Sequence, residues 1–178
     1  MKRIYLTGVL FIVTNCSINA QSSTGFEKGD KLLNIGIGVN SYYNEGFPIG
    51  ASFEVGISDV ISVGGNVDYL GSKYNYGSGL NYKFTTLYIG ARGSYHVNDL
   101  LNINNEKIDL YAGATIGFRN FSFKDNFSST GLGSSYSNGV FFGGYVGGKY
   151  YFHNKLSVFT ELGAIGSTNA RLGLGFKF

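Results

Sequence analysis

The last nine residues of the chain, ARLGLGFKF (residues 170–178), alternate without a break: Ala170, Leu172, Leu174, Phe176 and Phe178 occupy one phase, and Arg171, Gly173, Gly175 and Lys177 the other. Successive side chains of a β-strand point to opposite faces, so this segment reads as a strand with one apolar face and one small or charged face. Upstream the same period of two recurs seven times. Leu33, Ile35, Ile37 and Val39 alternate with Asn34, Gly36, Gly38 and Asn40. Ile49, Ala51, Phe53, Val55 and Ile57 oppose Gly50, Ser52, Glu54 and Gly56, and Ile61, Val63, Val67 and Tyr69 oppose Ser62, Gly64, Asn66 and Asp68. Leu87, Ile89, Ala91, Tyr95 and Val97 oppose Tyr88, Gly90, Arg92, Ser94 and His96. Further on, the stretch from Ile108 to Arg119, the stretch from Val140 to Phe152 and the stretch from Leu156 to Ala164 repeat the arrangement. The expectation is eight strands, each of the roughly 9 to 11 residues or more that a membrane-crossing strand requires.

Composition agrees. Of 178 residues, 28 are Gly, one is Pro, 14 are Tyr and 15 are Phe, and charged residues make up 14%. Ordinary soluble chains carry roughly 7% Gly and about 25% charge. A hydrophobic content of 43% is too high for a disordered chain. Collagen is excluded by the near absence of Pro and of any three-residue period. A helical membrane protein is excluded because no run of about 18 apolar residues occurs.

The N-terminus has its own pattern. Lys2 and Arg3 precede a mostly apolar stretch from Ile4 to Val13, and Ile18, Asn19 and Ala20 end it with a small residue. This is the three-part layout of a secretory signal, so residues 1–20 are expected to be removed before Gln21. Residues 21–30 then form a short periplasmic lead and residues 31–178 the barrel domain. Cys16, the only cysteine, falls inside the signal, and Asn15 before it does not fit a lipid-attachment site. The mature chain is therefore expected to hold no disulfide and no cysteine metal site. The signal also takes Lys2 and Arg3 with it, which removes most of the formal charge of +3. The remaining basic residues are scattered singly, so no nucleic-acid partner is expected.

Alternation alone also fits a soluble barrel with an apolar interior. The other face decides. Outward-facing strands in water carry many Lys and Glu, whereas here that face is mostly Gly, Ser, Asn, Thr and Tyr with one or two charges per strand. Such residues fit the narrow interior that eight strands leave, and the apolar face then meets lipid. Tyr69, Phe118 and Phe142 at one end and Tyr95, Tyr150, Phe152 and Phe176 at the other would form two interfacial girdles. The turns at Ser58 to Asp59 and Asn154 to Lys155 are short, while the segments from Gly71 to Tyr82 and from Phe121 to Gly139 are long and are read as outer loops. The stretch from Asn98 to Lys107 is long for a periplasmic turn.

On these strands, girdles and connections the chain resembles the small eight-stranded outer-membrane β-barrel proteins of Gram-negative bacteria, of the OmpX, OmpW and OmpA transmembrane-domain type. The resemblance implies an all-β, eight-stranded antiparallel up-and-down transmembrane β-barrel integral to the outer membrane. It also implies that Leu174, Phe176 and Phe178 serve as the signal read by the barrel-assembly machinery, with outer-membrane lipids and lipopolysaccharide as surroundings.

Chemistry is sparse. His96 and His153 are read as interfacial or turn residues, no histidine spacing fits a metal, and Gly131-Leu132-Gly133 lacks the third glycine of a dinucleotide loop. No catalytic residue, metal or cofactor is expected. Buried ions must be paired, so Glu54, Asp68 and Glu161 are expected to meet Arg92, Lys149 and Arg171 in a lumenal network, with Glu54–Arg92 and Glu161–Arg171 as the first pairs. Tyr42, Tyr43, Tyr74, Tyr76, Phe123, Phe127 and Tyr136 are aromatic among Ser, Gly and Asn, a composition suited to surface binding of an extracellular ligand. The expected role is non-enzymatic, structural in the envelope or interactive at the surface. The competing expectations are a narrow channel for solutes or ions, a barrel enzyme acting on envelope lipids, and a soluble lipocalin-like barrel.

Overall fold

A computed structural model of the chain describes residues 25–43, 46–76, 80–125 and 137–178; the expected signal segment, Phe127 and Tyr136 lie outside them, as do the side chains of Tyr74, Tyr76, Tyr82 and Phe123. Eight strands form: β1 (Lys31–Gly38), β2 (Ile49–Gly56), β3 (Ile61–Tyr76), β4 (Leu80–His96), β5 (Ile108–Asp125), β6 (Gly139–His153), β7 (Leu156–Ile165) and β8 (Thr168–Lys177). Each pairs antiparallel with its chain neighbours, and β8 returns to β1 to close the barrel. At that seam Ile35 faces Leu174 and Leu33 faces Phe176. Phe178 completes it, its N–H donating to Lys31 at 3.0 Å and its carbonyl accepting from the Lys31 N–H at 3.2 Å. Closure removes the free edges that an open sheet would present.

The end that carries both strand termini, with the short turns, is called here the lower end, and the opposite end the upper. The barrel is inverted relative to a water-soluble domain. Ile35, Phe53, Ile89, Phe118 and Val146 stand outward and exposed, and Phe142 exposes 75% of its surface. Glu54, Asp68, Arg92, Asp109, Lys149, Glu161 and Arg171 point inward and are buried. The period of two dictates this, since a one-residue slip would exchange the faces.

The interior is narrow enough for small residues to be required. Across the β5–β6 ladder Tyr111 faces Gly147 and Tyr145 faces Gly113. A Cβ on Gly147 would strike the Tyr111 ring, with Cε2 at 2.5 Å. Each glycine is thus the space occupied by a neighbouring phenol.

One expectation is corrected. Residues 71–76 and 80–82 are strand and not loop: Lys73 faces Lys83 and Tyr76 faces Leu80, so β3 and β4 stay paired out to these positions. Likewise β5 runs on to Asp125, opposite Tyr82. β2 stops pairing with β3 at Ile49–Tyr69, and β6 stops pairing with β5 at Arg119–Gly139. A three-stranded sheet of β3, β4 and β5 therefore projects beyond the upper rim. Its residues alternate Tyr with Ser, Lys and Asn, so strand propensity persists after the apolar face has ended.

Candidate functional site: a charged lumen and its two closures

Every strand but β1 delivers a buried, inward charge, and the charges meet across the lumen. Arg92 on β4 bridges two acids: its Nε lies 3.0 Å from Glu54 on β2, and its Nη2 donates to Glu161 on β7 at 2.7 Å. The guanidinium also sits 4.2 Å from the ring centroid of Tyr145. Glu54 accepts from Ser62 at 2.9 Å and from Ser94 at 2.6 Å. Glu161 accepts from Tyr111 at 3.0 Å and lies 3.9 Å from Arg171. Arg171 in turn donates to Asp68, which holds the tight β7–β8 turn by accepting from the Ser167 N–H at 2.9 Å and from the Ser167 hydroxyl. Lys149 stands 3.8 Å from Asp109. All six charged residues expected in the lumen are there. The expected pairs Glu54–Arg92 and Glu161–Arg171 are both present, but Glu161 is held more closely by Arg92 and Arg171 by Asp68.

Two members of the network were not read from the sequence. Asp109 has the inward phase of Tyr111, yet it was not placed among the lumenal charges. His96 is not an interfacial residue. It is buried, with Nδ1 2.6 Å from Asp109 and Nε2 3.1 Å from the Ser62 hydroxyl. Its inward phase was legible, but nearness to a strand end outweighed it. His153, by contrast, lies exposed at the β6–β7 turn.

Ser62, His96 and Asp109 share the order of a hydrolytic triad, but their surroundings are not those of one. Ser62 is fully buried, and its single proton is directed to the Glu54 carboxylate, which can only accept. The imidazole is covered by Phe26, the two rings stacking with centroids 3.5 Å apart and planes 6° apart.

Phe26 belongs to a strap across the lower mouth. The Gly29 N–H donates to the Gly56 carbonyl at 2.9 Å, the Gly56 N–H to the Asp30 carbonyl at 2.8 Å, and the Lys28 N–H to Asp59 at 3.1 Å. Beside it the β4–β5 connection is braced by Asn98, whose side-chain oxygen accepts from the Leu110 N–H at 2.7 Å. A cavity of about 420 Å³ lies between strap and connection, lined by Phe26, Glu27, Asp59, His96, Asp99, Glu106 and Asp109 among others. Phe26→Ala is expected to leave the barrel closed while opening His96 to water. Hydrogen–deuterium exchange at the imidazole C2 position checks this, with a faster rate expected in the variant.

Aromatic rings close the upper mouth. Tyr43 reaches in from the β1–β2 connection, its hydroxyl 2.9 Å from that of Tyr88, and packs against Phe84 and Phe121 with centroids 5.6 and 5.9 Å away. Tyr88 meets Phe141 edge-on at 5.0 Å. Tyr43 is half-buried against this ring cluster, whereas Tyr42 is exposed.

No family model matches the chain, and no curated relative matches it in sequence. Solved structures do. The outer membrane protein OprG from Pseudomonas aeruginosa superposes with a TM-score of 0.52 at 13% identity, over 86% of this chain and 98% of that one. Ail, the attachment invasion locus protein of Yersinia pestis, gives 0.51 at 12% identity, over 85% and 99%. The fold is that of the small outer-membrane barrels. In this barrel the described residues hold a charge-paired lumen with Phe26 at its lower end and Tyr43, Phe84 and Phe121 at its upper end.

Proposed function

We propose that the protein is an integral outer-membrane barrel with a sealed lumen, non-enzymatic, acting in envelope structure or in surface interaction through its upper end. The inversion of polarity carries this reading: apolar side chains cover the outside and ion pairs fill the inside. The dimensions support it. From Phe142 to Phe152 is ten residues of β6, which at about 3.4 Å each and a tilt near 40° covers roughly 26 Å, close to the apolar band of such barrels. Exposed Tyr69 and Phe118 lie at the upper edge of the band, and Tyr95, Tyr150 and Phe152 at the lower. In this setting the assembly machinery reads Leu174, Phe176 and Phe178, and outer-membrane lipid surrounds the belt. The projecting β3–β5 sheet is the part that reaches a surface partner.

The lumen supports a sealed barrel over a channel because Glu54, Asp68, Asp109 and Glu161 each lie within 4 Å of a basic side chain and both mouths hold rings. Planar-bilayer recording of the purified barrel is expected to show no steady conductance; a steady open level overturns sealing in favour of the channel. On intact cells, protease is expected to cut between residues 121 and 139, and the outer-membrane fraction to show a heat-modifiable gel shift. Absence of both overturns the topology.

A further inference from the structure

The register of the projecting sheet places three lysines side by side on adjacent strands. The register sets Lys73 on β3 opposite Lys83 on β4, and Lys83 opposite Lys124 on β5. Three like charges directly across neighbouring strands repel one another. Lys73 and Lys83 are exposed, and neither forms an ion pair among the described residues. The outward phase of β3, β4 and β5 contains no carboxylate at any position. No described side chain on the outward face of the sheet carries a negative charge that would offset Lys73 and Lys83.

Its height is informative. Lys73 lies four positions beyond Tyr69, about 13 Å of strand and about 10 Å along the barrel axis at the usual tilt. Between the two levels the outward positions are Gly71, Thr85 and Ser122, and Leu87 and Asn120 share the level of Tyr69. Passing upward, the surface therefore changes from Val67, Ile89 and Phe118, through Tyr69, Leu87 and Asn120, to a glycine and two hydroxyls, and then to lysines. That is the order of acyl chain, interface and charged headgroup in a leaflet. The outward positions at the upper ends of the other strands are Ile37, Ile49, Val140, Ala164 and Ala170, so the basic patch lies on one side of the barrel.

We propose that Lys73, Lys83 and Lys124 form a docking row for the phosphorylated headgroup of an outer-leaflet lipid. The inference rests on the membrane-embedded reading above. An ammonium on a flexible stem suits phosphate as a point-charge partner, and a phosphate between adjacent lysines replaces repulsion by attraction. Charge attraction at a membrane surface amounts to about fivefold in affinity per lysine.

The test uses the full folded barrel in vesicles of phosphatidylcholine alone, the same with bis-phosphorylated lipid A, and the same with dephosphorylated lipid A. Expected is slower unfolding with the phosphorylated lipid only, and enrichment of that lipid around the purified barrel. The enrichment should fall about fivefold for each Lys→Gln change at positions 73, 83 and 124. In phosphatidylcholine alone the triple variant should unfold more slowly than the parent, because the repulsion is gone; a merely structural role for the lysines would make it unfold faster. Equal response to both lipid A forms, or an unchanged response in the triple variant, overturns the proposal. So does an equal gain from inorganic pyrophosphate or a soluble sulfated polysaccharide, which would assign the row to a soluble anion. A chain that fails to embed in any vesicle overturns the membrane reading, and this one with it.

Discussion

Arg92→Met is expected to cost about 3–5 kcal/mol, because it leaves two acids buried without their shared cation. Glu54 and Glu161 are 2% and 1% exposed, so neither can turn to water. The serines Ser62 and Ser94 and the phenol of Tyr111 remain as neutral donors, and Arg171 lies 3.9 Å from Glu161. They soften the loss without removing it. Denaturant unfolding of the refolded barrel in micelles measures the effect. The triple change Glu54→Gln, Arg92→Met, Glu161→Gln should recover much of it, since paired buried ions can be replaced together at little net cost. A double-mutant cycle on Glu54 and Arg92 should return a coupling energy above about 0.5 kcal/mol. Zero coupling would show that the 3.0 Å contact does not contribute to stability.

The second large effect is expected from a single methyl group. Gly64 faces Glu54 across the β2–β3 ladder. A Cβ there would overlap the Phe53 carbonyl oxygen and lie 2.7 Å from Glu54 Cα. Both are backbone, so no rotamer change relieves the overlap; the two strands would have to part. Gly64→Ala is expected to destabilise by more than about 4 kcal/mol, in the range reached only by severe packing faults. Gly139→Ala is the matched control. Nothing lies within 4 Å of a Cβ at that position, and it should unfold as the parent does. A heat-modifiable shift retained in the first variant and lost in the second would refute the argument.

Strand count, face assignment and closure were legible because the period of two survives along nearly every strand, and Leu33 to Val39 or Ala170 to Phe178 can be read by eye. The lumenal acids and bases followed from the same phase. Their partners did not follow as fully, because strand order predicts neighbours such as Glu161 and Arg171 but not contacts across a closed lumen such as Arg92 with Glu161. Asp109 and His96 were hidden for a related reason: a charge near a strand end reads as solvated until the strap bearing Phe26 is seen to cover it. The extension of β3 and β4 was missed because the reading followed the outward apolar residues, and above Tyr69 and Leu87 that face turns to Gly71, Thr85, Lys73 and Lys83. The lysine row needed the register, since Lys73, Lys83 and Lys124 are unremarkable one at a time.

The links of the lumenal network are long in the chain. Arg92 and Glu161 are 69 residues apart, and Asp68 is separated from Arg171 by 103. Contacts of such span form late, after the chain entropy of large loops has been lost. Arg171 lies on the strand that closes the seam, so its pairing with Asp68 cannot precede the arrival of β8. Interactions made after the transition state slow unfolding more than they speed folding. The network thus acts as a latch on a finished barrel, and its main effect falls on the lifetime of the native state.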